Sequence, residues 1–122
     1  MLMKISAIII SRNDNYGGHL NERAIYAINS AINTYDEVIY IDWNSPTHSL
    51  LWDIQDNLQL KGNLKHIVIP PDIASQLTDY DPNAQKCCEV LARNIGIRRA
   101  KVIILFLLIL ILFILNVKIL RK

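Results

Sequence analysis

Five side chains stand where a short apolar run gives way to a polar loop. They are Asn13, Asp14, Asp42, Asn44 and Asp72. In a parallel α/β sheet those loops gather at the carboxyl ends of the strands, where ligands bind. Asp42 closes the run Glu37-Val-Ile-Tyr-Ile41, so its carboxylate projects from a rigid edge. It could accept hydrogen bonds from a base or a ribose, or serve as an Asx-turn residue capping its own loop.

Other chemistries find little support. Gly17 and Gly18 belong to neither a G-x-G-x-x-G nor a G-x-x-x-x-G-K-[ST] motif, so no phosphate loop is present. His19, His48 and His66 lack metal-ligand spacing and read as structural or solvated. No serine–histidine–acid or cysteine–histidine set stands out. Trp43 and Trp52 read as core or rim. Cys87 and Cys88 are adjacent and have no third cysteine to pair with. They read as reduced thiols on a helix, which suits a cytosolic body.

The elements that position these residues alternate. Ile5–Ile10 is short, apolar and β-branched, as expected of a strand buried on both faces. Ser11–Gly18 is a loop by composition. Leu20, Ala24, Ala27, Ile28 and Ala31 recur at helical spacing, predicting a helix that ends near Thr34. Glu37–Ile41 is a second strand, followed by a turn at Asp42–Pro46. Leu50, Leu51, Ile54 and Leu58 mark a second helix, with Gly62 just past its end. Leu64–Ile69 is a third strand, stopped by Pro70 and Pro71. Asp72–Tyr80 reads as irregular. Asp81-Pro82 then caps a third helix whose apolar face is Ala84, Cys87, Cys88, Leu91 and Ile95, with Gly96 weakening its last turn. This order predicts a parallel sheet with helices packed on it.

The chain closes on Val102–Leu115, fourteen apolar residues without interruption. As a helix, Val102–Leu120 would span about 28 Å, close to the ~30 Å hydrocarbon core of a bilayer. The expectation is one membrane span, with the amino-terminal body in the cytosol. The alternative is a strand from Val102 to about Leu107, followed by a buried helix. Charge follows the same division. Residues 1–97 carry eleven acids against seven Lys and Arg, a net of −4, whereas residues 98–122 carry six Lys and Arg and no acid. A negative body argues against nucleic acid as the main partner, and a basic apolar tail argues for a membrane. Ile5–Ile10 is too short for a secretory signal core.

Three stretches, in order and spacing, resemble family-two glycosyltransferases of the A-type fold. Ile5-Ser-Ala-Ile-Ile-Ile-Ser-Arg-Asn13 is similar to their opening strand and loop. Glu37-Val-Ile-Tyr-Ile-Asp-Trp-Asn-Ser-Pro46 is similar to their second strand with its acidic end. Ala92-Arg-Asn-Ile-Gly-Ile-Arg-Arg-Ala100 is similar to their A-R-N-x-G-I helix. The resemblance implies a Rossmann-like parallel sheet and a nucleotide-sugar donor. Ser11, Arg12 and Asn13 would flank the base. Asp42, with Asn44 beside it, would hydrogen-bond the base, and Arg93 and Asn94 would line the donor site. The family places Mg or Mn on an Asp-x-Asp motif after a fourth strand, and a further carboxylate deprotonates the acceptor. No acid follows Glu89 here.

The expectation is therefore an incomplete, donor-binding half at residues 1–101 and a hydrophobic segment at 102–120. Metal, catalytic base and acceptor half are missing, and the chain is inactive alone. The alternatives are a membrane-anchored binding or interaction module, or a transferase completed by a partner chain that supplies the missing half.

Overall fold

The computed structural model describes residues 4–78, 89–101 and 104–109, the last as backbone. Within these, the chain is α/β. Four parallel strands, β1 (Ile5–Ser11), β2 (Glu37–Trp43), β3 (Leu64–Ile69) and β4 (Ile104–Ile109), form one sheet in the order β3-β2-β1-β4. Helices α1 (Leu20–Thr34) and α2 (Leu50–Ile54) connect the first three strands. α3 (Pro71–Leu77) and α4 (Glu89–Arg99) lie between β3 and β4.

Strand alternation divides the core in two. Ala7 and Ile9 of β1 with Val38 and Tyr40 of β2 pack against Ala24, Ala27, Ile28 and Ala31 of α1 and Leu50 and Ile54 of α2. Ile8, Ile10, Ile39, Ile41 and Trp43 face the other way, against Ala74 of α3 and Ala92 of α4. Strand addition runs from β1 to β3 on one side, then returns to β4 on the other. One crossover hand then requires the later helices to occupy the opposite face. Because both faces are covered, β2 is buried along its whole length.

α4 runs antiparallel to the strands. Its end is fixed where the Lys101 N–H donates to Glu37 Oε1 at 2.9 Å, at the start of β2. Gly96 then crosses the middle of β1. A Cβ added there would stand 2.7 Å from Ile8 Cγ2, so the glycine permits close helix–sheet approach. Close packing thus gives a reason for a glycine in the last turn, where its helix propensity is poor.

Other elements also depart from the sequence reading. Pro70 and Pro71 do end a strand, but Pro71 also occupies the first helical position of α3, within a segment expected to be irregular. α2 is short and passes into a 3-10 turn at Gln55–Asn57, so Gly62 (φ +80°) serves the turn before β3 and not a helix end. Ile104–Ile109 is a strand paired with β1 from Ile5↔Ile104 to Ile10↔Ile109. Ile104–Ile109 of the apolar run is therefore not helical, because the open edge of β1 offers a ladder of backbone partners. No helix among the described residues is long and apolar enough to cross a membrane. The rest of the run, the Asp81-Pro82 cap and both cysteines lie outside the described residues.

Glu37 joins four segments at the amino edge of the sheet. It accepts from Ser6 Oγ at 2.5 Å and from the Lys101 N–H, and pairs with Lys65 Nζ at 2.9 Å. Burial alone would raise its pKa. The donors from Ser6, Lys101 and Lys65 outweigh that and hold it down at about 2, against an ordinary 4.5. A folded-state pKa below the unfolded one gives stability that is complete above about pH 4.5 and is lost as pH falls through about 2. Glu37→Gln is expected to lower stability at neutral pH by about 3 kcal/mol and to flatten the acid limb between pH 4.5 and 2. Urea unfolding across that range measures both effects.

Candidate functional site

The loops at the carboxyl edge of the sheet are stitched to one another by side chains. Arg12 reaches from the loop after β1 to the loop after β2, its Nε donating to Asn44 O at 2.7 Å. Its guanidinium also meets Asp14 at 2.8 Å. The Asn13 N–H donates to Ser45 Oγ at 2.9 Å, and its Nδ2 to His48 O at 3.1 Å and Asp53 Oδ2 at 3.2 Å. Asn44 adopts φ +55°, a left-handed conformation that asparagine tolerates. Its N–H donates to Ile69 O at 2.7 Å, tying in the end of β3.

Asp42 lies inside this assembly. It is 0% exposed. Being on the same face as Tyr40, its side chain turns towards α2. Oδ2 accepts from Ser49 Oγ and from the Leu50 N–H, both at 2.8 Å, and Oδ1 accepts from Ser45 Oγ. The carboxylate therefore holds its own loop and the first turn of α2, the Asx-like role that the sequence left open. It does not project from the edge. Three strong donors inside the chain offset the cost of removing the charge from water.

A polar chain extends from it. Ser49 donates its single hydroxyl hydrogen to Asp42, so towards His66 Nε2, 2.9 Å away, it can only accept. The network thus places a hydrogen on Nε2 of His66. Serine stands between acid and histidine, which is the wrong order for a histidine-activated nucleophile. His66 stacks on Tyr40 with ring centroids 5.3 Å apart, and Tyr40 OH meets Ser11 Oγ at 2.5 Å. Burial lowers the His66 pKa, with Asp42 opposing. Burial and then the charge of Asp42 push the Tyr40 phenol up.

The expected residues thus divide. Ser11, Arg12, Asn13, Asp42 and Asn44 come together at one edge, and of these Arg12 and Asn13 are only partly buried. Arg93 and Asn94 lie on α4, which covers the opposite face of the sheet from the one Asp42 turns to. Sequence reading missed Ser45, Ser49, Tyr40 and His66. Ser49 carried a visible signal, a serine immediately before the helical stripe that begins at Leu50. It also missed Asp53, whose two oxygens take His48 Nε2 at 2.8 and 2.9 Å, and the stacking of His48 on Trp52 at 6.2 Å.

Among the described residues, no three His, Cys, Asp or Glu side chains converge on a metal position. Comparison with protein-family models, with curated proteins and with solved structures finds no match.

Ser49→Ala removes a donor to Asp42, the partner of His66, and the acceptor for the Leu51 N–H at 3.2 Å. The expected loss is roughly 2–4 kcal/mol, combining a helix cap with a buried charge left short of a donor. A loss below about 0.5 kcal/mol in urea unfolding, the level of an ordinary surface change, would show that the chain Asp42–Ser49–His66 is not formed.

Proposed function

We propose that the chain binds a nucleotide at the carboxyl edge of its sheet, as the donor half of a family-two glycosyltransferase would, and does not transfer sugar unaided. The observation that carries this reading is the strand order β3-β2-β1-β4. The direction of strand addition reverses at β1, and the crevice beyond the ends of β1 and β4 is where open α/β sheets accept ligands. The loop after β1 stands at that end of the sheet, with the ring of Tyr16 exposed and with Arg12 and Asn13 turned to the loop after β2.

The roles differ from those the resemblance implies. Asp42 acts as a positioning residue: its bonds to Ser45 and the Leu50 N–H set the loop on which Arg12 and Asn13 rest. Arg12 and Asn13 are the groups that would meet the ligand. An uncharged base and ribose suit this edge better than a diphosphate, since Asp14, Asp53 and Asp72 are exposed along it. The divalent metal of the family does not fit the residues present. No carboxylate follows Glu89, where the family's acidic motif would lie. No step is assigned to a metal or to a general base.

A second reading, a non-enzymatic interaction module anchored to a membrane, is favoured by one observation. The most family-like carboxylate, Asp42, is fully engaged within the chain.

Titration of isotope-labelled full-length chain with uridine diphosphate, uridine and adenosine diphosphate separates the readings. The nucleotide reading expects amide shifts over residues 11–18 and 44–48, weakened in Arg12→Ala. It also expects no release of nucleoside diphosphate from donor sugars with manganese or magnesium. Absence of shifts at millimolar ligand would favour the interaction module. Turnover above a heat-killed control would overturn the inactive reading.

A further inference from the structure

The sheet brings together, at its amino edge, basic residues that are scattered in sequence. Lys4 leads into β1 and Lys61 into β3, Arg98 and Arg99 close α4, and Lys101 bonds the start of β2 through its N–H. All five are exposed. Of the acids at this end, Glu37 is buried and paired with Lys65, whereas Asp36, which accepts from the Ile5 N–H, and Asp56, on the turn after α2, are exposed, so five exposed cations face two exposed acids. The carboxyl edge has the opposite character, with Asp14, Asp53, Asp72 and Glu89 exposed. The domain is therefore polarised along its strands.

Two apolar side chains are exposed beside these cations. Leu60, next to Lys61, is 61% exposed, and Ile97, next to Arg98, is 42% exposed. Leu60 follows Gln59, which bonds Asn29 and Asn33 of α1, whereas Ile97 lies on α4, the helix of the opposite face, so they flank the basic edge across its thickness. Cations interspersed with exposed aliphatic side chains suit an anionic bilayer surface. The cations meet headgroups, and the aliphatics enter the acyl boundary. Single-stranded nucleic acid would call for aromatic stacking platforms. The exposed rings of Tyr16 and Trp52 instead lie at the other edge.

We propose that the amino edge of the sheet, through Lys4, Lys61, Arg98, Arg99 and Lys101, docks on a membrane surface rich in anionic phospholipid. This surface is separate from the nucleotide crevice and faces away from it. A docked domain would present its carboxyl-edge loops to the aqueous side. The proposal stands whether or not the nucleotide reading does.

The test reports on each edge separately. An environment-sensitive fluorophore is attached to the full chain at Leu60→Cys, or at Trp52→Cys, in a Cys87→Ser/Cys88→Ser background. Vesicles are phosphatidylcholine alone or with phosphatidylserine. The expected result is a blue shift from the probe at residue 60 with phosphatidylserine only, reversed by salt, and none at residue 52. Each basic residue near such a surface contributes about fivefold. Lys4→Glu/Lys61→Glu should therefore weaken the response about 25-fold or more. Arg98→Glu/Arg99→Glu should do the same by an independent route if the first pair perturbs folding. A shift at residue 52 but not 60, equal shifts with both lipids, no shift at all, or insensitivity to both variant pairs would each overturn the proposal. Preferential capture by RNA, lost in the same variants, would replace the lipid with nucleic acid.

Discussion

A carboxylate cannot remain ionised inside a protein without donors, and that constraint organises the carboxyl edge of this sheet. Asp42 is the penultimate residue of the most deeply buried strand and has no access to solvent. Leaving it unpaired would cost several kcal/mol. Ser45, Ser49 and the Leu50 N–H are drawn in to meet it. Once they are, the loop after β2 has few conformations left. Ser45 then accepts from the Asn13 N–H, Asn44 O accepts from Arg12, and Ser49 meets His66. Two loops, strand β3 and the start of α2 become one unit because one charge must be satisfied.

The amino edge repeats the principle at the other end of the same strand. Glu37 opens β2 as Asp42 nearly closes it. It collects Ser6 of β1, Lys65 of β3 and the segment that leads into β4. Between the two acids the strand is apolar and buried on both faces, so β2 specifies register from its ends and cohesion from its middle. The two acids differ in what answers them. Glu37 has a lysine and remains partly accessible. Asp42 has neutral donors and none of its surface in water. The first is a pH-dependent clamp.

Much of the fold was legible in the chain. The apolar runs at Ile5–Ile10, Glu37–Ile41 and Leu64–Ile69 and the helical stripe from Leu20 to Ala31 correspond to elements at the same positions, because two-sided burial leaves little choice of pattern. The fourth strand was harder. Ile104–Ile109 lies within an unbroken apolar run whose composition alone suits lipid, a buried strand or a buried helix. Only the vacant edge of β1 distinguishes the strand. α3 was hidden by two prolines that signal both the end of a strand and the beginning of a helix. Of the expected site residues, only those of the loops after β1 and β2 gather at one edge, and their direction was not legible. Asp42, Asn13 and Asn44 could be placed at the strand ends, but whether Asp42 turned outward or inward depended on Ser45 and Ser49. Their role becomes visible only when the chain folds back on itself. The inward turn also changes what the family resemblance can mean, since Asp42 is committed to its own loop.

The central claim is that Asp42, from within, holds the loop after β2 and the first turn of α2. Hydrogen exchange at the Leu50 amide tests this most directly, because that amide has no earlier helical carbonyl to bond and would be protected only by Asp42. The account predicts slow exchange at Leu50, comparable to strand amides, and selective loss of that protection in Asp42→Asn while β1 and β2 remain protected. Fast exchange at Leu50 in the native chain, at the rate of its exposed loop amides, would contradict it.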